Sequence, residues 1–180
     1  MCWRLFLDMN LQSNDFELFR VPMQFAQDGA LLSARWKELQ QEAHPDKFAA
    51  QGAAAQRIAM QWSVRINEAY QRLKDPLKRA SYLCELHGAS IQAEKNTAMP
   101  TDFLMQQMHW REALEEAQTL QDFEEIADQS NISAHEMLLK IEQMLDVDRD
   151  FFAAAQQVRS LMFIARFASE VEARIDQLEP

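Results

Sequence analysis

His44-Pro45-Asp46-Lys47-Phe48 separates two runs of helical periodicity, and the fold follows from reading those runs together. Before the pentapeptide, from Asp28 to about Ala43, Leu32, Trp36, Leu39 and Ala43 recur at the spacing that stacks side chains on one face of a helix. The helix must stop there, because a residue that precedes proline is pushed out of the α region. After it, from about Ala54 to Leu73, the stripe is Ile58, Trp62, Ile66, Ala69 and Leu73, and Asp75-Pro76 interrupts the pattern. Two amphipathic helices joined by a short polar loop bury their stripes against each other. The pentapeptide is therefore expected at the tip of an antiparallel helical hairpin.

Moving outward, Asn14-Asp15 offers a cap for a short helix over Phe16 to Phe19. Past Pro76 a further short helix runs from Leu77 to His87, with Gly88 as its C′ residue. Residues 89–99 are polar and unpatterned and read as a linker. Three more helices follow. One starts at Thr101 or Asp102 and reaches about Leu120, one runs from about Asp122 to Leu145, and one from about Asp148 to Leu178. Their spacing suits an antiparallel bundle, and Asp128-Gln129-Ser130-Asn131 is a weak spot where the middle helix would fray or kink. The expectation is an all-α chain: an extension over 1–14, a hairpin domain over 15–76, a short helix and linker over 77–99, and a three-helix bundle over 100–180.

Composition agrees. Ala, Leu, Gln and Glu are abundant, Gly numbers three and Pro five, and these proportions favour helices. The net charge of −10 repels phosphate backbones, so nucleic acid is not an expected partner. No apolar run approaches the roughly 20 residues needed to span a bilayer, so no membrane association is expected. The opening Met1 to Met9 is too short and too acidic nearby for a signal peptide. The cytoplasm is the default compartment. The two cysteines, Cys2 and Cys84, form neither a CxxC pair nor a zinc pattern, and Cys84 reads as a small buried hydrophobe. His87, His109 and His135 have no Cys or His at metal-ligand spacing, so neither metal nor cofactor is expected. His87 beside Gly88 suits the negative end of a helix dipole.

A carboxylate at a rigid loop tip can accept paired, charge-assisted hydrogen bonds from a partner's arginine. Pro45 limits the loop's freedom, so less entropy is lost on docking. A catalytic reading of His44 with Asp46 lacks a nucleophile, a metal ligand set or a phosphate-binding loop, so no enzyme is expected. The bland alternative is that Pro45 ends a helix, Asp46 caps the next turn and His44 is merely exposed. Against it stand Lys47 and Phe48 directly after the tripeptide and Asn67-Glu68-Ala69-Tyr70 in the following helix. This arrangement resembles the signature of J-domain proteins. The resemblance implies that His44, Pro45 and Asp46, with Lys47, Arg35 and Lys37, dock a DnaK-type ATPase and stimulate its ATP hydrolysis. Ala43 departs from the pattern, which more often has an aromatic there.

The second half narrows the family. No Gly/Phe-rich linker or zinc repeat follows; a short helical bundle does. With Asp15-Phe16-Glu17-Leu18-Phe19, Asp75-Pro76-Leu77-Lys78-Arg79-Ala80, Tyr82-Leu83, Leu86-His87-Gly88, Phe103-Leu104-Met105, Gln107-Met108 and Arg111-Glu112, the chain is similar to the HscB co-chaperones of iron–sulfur assembly from about Asp15 onward. On the first bundle helix Phe103, Trp110, Leu114 and Ala117 fall on one stripe, while Leu104, Met105, Met108 and Glu112 cluster on the other side. On the last, Phe151, Val158, Leu161, Ala165, Ala168 and Ile175 form a stripe, with Phe163 roughly opposite and Phe167 next to it. An exposed apolar cluster marks a binding surface, and Met adapts to one. The alternative is that both faces are buried. By resemblance, Leu104, Met105, Met108, His109, Glu112 and Phe163 would hold an IscU-like scaffold protein, and the hairpin would serve an HscA-like chaperone. His109 stands where the family pattern has an acidic residue. The rival function is a J-domain protein serving other or unfolded clients.

Overall fold

The computed structural model describes residues 12–91 and 99–178, and every regular element among them is helical. The chain divides into two compact units, Met1–Arg79 and Ala80–Pro180. Residues 1–11, including Cys2, and 92–98 of the expected linker lie outside the described residues.

The first unit is built on α1 (Asp15–Phe19), α2 (Gly29–Glu42), a 3-10 segment (Pro45–Gln51) and α3 (Ala53–Lys74). Asn14 caps α1: its Oδ1 accepts from the Glu17 amide at 2.9 Å, and Glu17 Oε2 accepts from the Asn14 amide at 3.2 Å. Asp15 is no cap. It is fully buried, with Arg65 Nη2 2.5 Å from Oδ1 and Arg72 Nη1 2.8 Å from Oδ2. Asp28 caps α2 by accepting from the amides of Ala30 and Leu31. α2 ends ahead of the proline as expected, with His44 already extended at ψ 125°.

Leu32, Leu39 and Ala43 of α2 and Trp62, Ile66, Ala69 and Leu73 of α3 are buried, as their stripes predict. Two stripe residues behave differently. Ile58 is exposed and Ala59 takes the buried position, so the stripe of α3 begins one residue later than the spacing suggests. Trp36 is only partly covered; its ring stacks on Tyr70 at 5.0 Å while its indole N–H reaches a polar group. Beyond Asp75, α4 (Pro76–Leu86) begins within the first unit. There the buried Arg79 donates to the Leu73 carbonyl at 2.5 Å and lies over the Phe25 ring, satisfying an end group of α3 that no intrahelical amide can reach.

The second unit contains the rest of α4, α5 (Thr101–Glu116), α6 (Leu120–Glu142), a π-helical turn (Gln143–Asp148) and α7 (Phe151–Leu178). α4 gives way to Gly88 at φ 78°, a left-handed position that suits glycine. His87 Nδ1 meets the Leu83 carbonyl at 2.9 Å and its ring stacks on Phe151 at 3.7 Å. Ala89 and Ile91, expected in a polar linker, are buried, and the buried Arg159 donates to the Ile91 carbonyl at 3.2 Å.

α5 ends at Glu116, earlier than its spacing suggests, because Thr119 opens the next helix: its hydroxyl accepts from the Asp122 amide and Asp122 accepts from the Thr119 amide in return. α6 runs unbroken through Asp128-Gln129-Ser130-Asn131. Ser130 is buried and returns its hydroxyl to the Ala127 carbonyl at 2.8 Å, so the polar residue there is satisfied within the helix. α7 starts at Phe151 instead of Asp148, since Arg149 adopts φ 56° and Asp150 caps the helix through the Ala153 amide.

The pairs Phe103–Phe163, Trp110–Phe167 and Arg111–Glu170 rise in number together along both helices, so α5 and α7 run in the same direction with α6 returning between them in sequence. One core gathers Phe103, Trp110, Leu114, Phe123, Ile126, Ile164, Phe167 and Val171. The stripe expected on α7 is accordingly corrected: Phe167 is buried in this core, stacked on Trp110 at 5.4 Å, and Ala165 is exposed. The buried set drifts round the helix because Phe163 and Phe167 are the residues whose rings meet α5.

Candidate functional site

Two surfaces carry the residues singled out by the sequence, one on each unit. The first is the loop after α2. His44 opens the 3-10 segment: its Nδ1 accepts from the Asp46 amide at 3.3 Å, and its carbonyl accepts from the Lys47 amide at 3.0 Å. Pro45 follows at the first position of the turn, where it lacks only an amide that would have no partner. Asp46 then projects with its side chain 89 % exposed, its Oδ2 3.6 Å from His44 Nδ1. Two residues on, Phe48 is buried, and enclosing a phenylalanine contributes roughly 1.5–3 kcal/mol. A polar tip is thus fastened by an apolar root.

Behind the tip, a polar lock joins α2 to α3. Gln40 Nε2 donates to Asn67 Oδ1 at 2.7 Å and to the Ser63 carbonyl at 3.1 Å; Ser63 Oγ donates to Gln40 Oε1 at 2.8 Å; and Trp36 Nε1 donates to Asn67 Oδ1 at 2.9 Å. Sequence reasoning noticed Asn67 but not this lock, whose signal is a pair of amides at facing positions of two adjacent stripes. Of the cations expected near the loop, Lys37 and Lys47 are exposed. Arg35 is committed within its own unit, donating from Nε to the Phe19 carbonyl at 3.1 Å and from Nη1 to Glu38 at 2.6 Å. An open hollow of about 350 Å³ lies between Gln41, His44 and Lys47.

The second surface is the outer side of α5. Phe103, Trp110 and Leu114 turn inward and are buried, so the 100° rotation per residue turns Leu104, Met105 and Met108 outward, at 44 %, 59 % and 64 % exposure. His109 and Glu112 are exposed beside them, with His109 Nδ1 3.9 Å from Glu112 Oε2. Phe163 of α7 is half-buried and meets Phe103 edge-on at 6.0 Å, leaving part of its ring to the surface. Leu104, Met108, Glu112 and Phe163 line one shallow groove of about 510 Å³ with Gln107, Arg111 and Glu115; Met105 and His109 lie outside that lining. The last three of the lining residues were not among those singled out as a site. Their signal was available, since 107, 111 and 115 repeat every four residues along the border of the exposed stripe.

No group of three or more His, Cys, Asp or Glu among the described residues is arranged to hold a metal ion. No helix among them is long and apolar enough to cross a membrane.

Residues 99–172 match the family model of the HSCB C-terminal oligomerisation domain. The chain is 48 % identical over 178 residues to the co-chaperone protein HscB homolog of Burkholderia cenocepacia, an alignment covering 95 % of this chain and 99 % of the relative. Among solved structures it is similar to the chaperone HscB from Vibrio cholerae, with a TM-score of 0.80 and 38 % identity over 92 % of this chain and 99 % of that one. It is also similar to the human co-chaperone protein HscB, with a TM-score of 0.81 and 27 % identity over 94 % of this chain and 83 % of that one. The helical hairpin with its His-Pro-Asp tip and the helical bundle that follows it in sequence both fall within these alignments, and the chain belongs to the HscB family of J-domain co-chaperones.

Proposed function

We propose that this chain stimulates the ATPase of an HscA-like, DnaK-type chaperone through His44, Pro45 and Asp46, and delivers to it an IscU-like iron–sulfur scaffold protein held on the bundle. The observation that carries the reading is the outward display of Leu104, Met105 and Met108 on a helix whose opposite face already fills a core. Apolar side chains so arranged gain roughly 25 cal/mol for each Å² removed from water, and a partner protein is what can remove it. Phe163 supplies an aromatic anchor at the groove's far wall, while Glu112 and His109 give the rim polar character.

At the other surface, Asp46 offers a carboxylate that a chaperone arginine can engage, with the adjacent Lys47 and the exposed Lys37 of α2 as steering charges. Arg35 contributes by holding α2 against the carbonyl of Phe19. Hydrolysis takes place on the chaperone; this chain supplies contacts only, and the proposed setting is the cytoplasm. Holding the scaffold on one unit and the chaperone on the other raises the local concentration of client, as any two-site linker does.

The test separates the two surfaces. Asp46→Asn should abolish ATPase stimulation while scaffold binding, measured by calorimetry, stays as in the parent. Leu104→Ala with Met105→Ala and Met108→Ala should weaken scaffold binding by roughly tenfold or more, with an unchanged thermal midpoint because these side chains are already exposed. ATPase stimulation that survives Asp46→Asn, or scaffold binding indifferent to the triple variant, contradicts the assignment.

A further inference from the structure

Met105 and Met108 stand three residues apart on α5, so they are neighbours on one helix face, and both are more than half exposed. Among the described residues, neither makes a hydrogen bond or a ring contact through its sulfur. The other thioethers of the bundle are more sheltered. Met99 is half-buried and its Sδ accepts from Gln107 Nε2 at 3.1 Å, while Met137 packs against the bundle core. In the first unit Met60 of α3 is exposed to the same degree, at 60 %, and it is no part of the docking face. The chain thus carries exposed sulfur at the proposed interface, sheltered sulfur behind it, and one equally exposed sulfur elsewhere for comparison.

An exposed thioether is open to two-electron oxidation by a hydroperoxide. A sulfur lone pair attacks one peroxide oxygen, the S–O bond forms as the O–O bond breaks, and the second oxygen leaves as water once it has taken the proton of the first. Sulfur is oxidised, the peroxide is reduced, and a polar S–O group stands where the side chain was apolar. We propose that Met105 and Met108 are a reversible modification site: hydrogen peroxide converts them to sulfoxides and so detaches the docking face of α5 from its protein partner. The inference rests on the reading of that face as the scaffold-binding surface. Both side chains already face water, so their oxidation removes no core packing and leaves the fold as it was. Docking is another matter. It strips water from each S–O group, and an oxygen so stripped costs free energy unless a donor replaces the water. Methionine sulfoxide reductases reverse the change, returning the oxygen as water while a dithiol becomes a disulfide.

The test treats this protein alone with hydrogen peroxide, removes the peroxide with catalase, and then titrates in a purified IscU-type scaffold protein by calorimetry. Mass spectrometry of the same samples follows the oxygen, which Met105 and Met108 should gain ahead of Met99 and Met137. Full oxidation of the pair should weaken binding by roughly tenfold or more, with an unchanged thermal midpoint. Met60→Leu should lose affinity on treatment just as the parent does. Met105→Leu with Met108→Leu should show one affinity before and after treatment, whatever that affinity is. Reductases for both sulfoxide epimers, supplied with dithiothreitol, should restore the parent; dithiothreitol alone, which repairs oxidised thiols and leaves sulfoxides, should not. Parental affinity in protein whose Met105 and Met108 carry the oxygen overturns the inference. So does a leucine variant that loses as much affinity as the parent, or oxidation of Met99 and Met137 as fast as that of the pair. Leu104→Ala with Met108→Ala, measured without peroxide, is the control for the docking face itself. Loss of binding there keeps the scaffold-binding reading whatever peroxide does, whereas parental binding removes that reading and this inference together.

Discussion

Burial pushes the Cys84 thiol up to about 11, with the charge of Glu85 adding to the shift and the Arg159 guanidinium opposing it. Thiolate is the reactive form, so a buried thiol with this acidity is inert near neutral pH. In the folded protein at about pH 8, the peptide carrying Cys84 should remain unmodified by iodoacetamide, and it should be labelled once denaturant is added; mass spectrometry of that peptide reads the result, and rapid labelling without denaturant contradicts the packing described here. At this scale the sequence was partly legible. A cysteine with no CxxC or zinc-ligand partner reads as core, and His44, Pro45 and Asp46 read as a loop tip. Asp15 did not, because an acidic residue after Asn14 looks like a second cap. What decides its fate is tertiary: Arg65 and Arg72, seven residues apart on α3, converge on it from one helix face. The internal bond of Arg35 was illegible for the same reason, since a cation on an amphipathic helix gives no local sign that a carbonyl sixteen residues earlier will accept from it.

Helix ends and faces follow rules of their own. Asp122 carries its carboxylate into the amides of Gln118 and Thr119, and these bonds, with the Thr119 hydroxyl, hold its pKa below the ordinary 3.8. A carboxyl whose pKa is depressed by folding stabilises the folded state above its unfolded value, and that contribution is lost as pH falls through the folded value. Between about pH 5 and about pH 2, the parent should therefore lose more thermal stability than Asp122→Asn, whose side chain cannot titrate; equal losses in paired thermal melts argue against the cap. The same capping box explains why α5 stops short of the end its spacing suggests: Thr119 and Asp122 compete for the chain and start a new helix. Among the described residues, periodicity located every α-helix to within a few residues but could not see this competition. Nor could it fix the buried face of α7, where the residues enclosed depend on which of them meet α5. The two-faced character of α5 was fully legible, because its apolar residues fall into two sets a half-turn apart and only one of them can fill a core.

The molecule as a whole presents an acidic hook on one unit and an apolar groove on the other. The sequence disclosed that division through a proline-interrupted hairpin followed by three long periodic segments. It did not disclose that Ala89 and Ile91 are drawn into the second unit, since a short polar stretch carries no periodicity from which burial can be read. A protein that links a chaperone to its client has a signature that neither surface shows alone: stimulation by the two partners together exceeds the product of their separate effects. The most direct test is steady-state ATP turnover by the HscA-type chaperone with this protein alone, with the scaffold alone, and with both. Turnover well above that product, falling back to the scaffold-alone rate with Asp46→Asn and to the product with Leu104→Ala and Met108→Ala, is the predicted outcome. Effects that merely multiply for the parent protein contradict it.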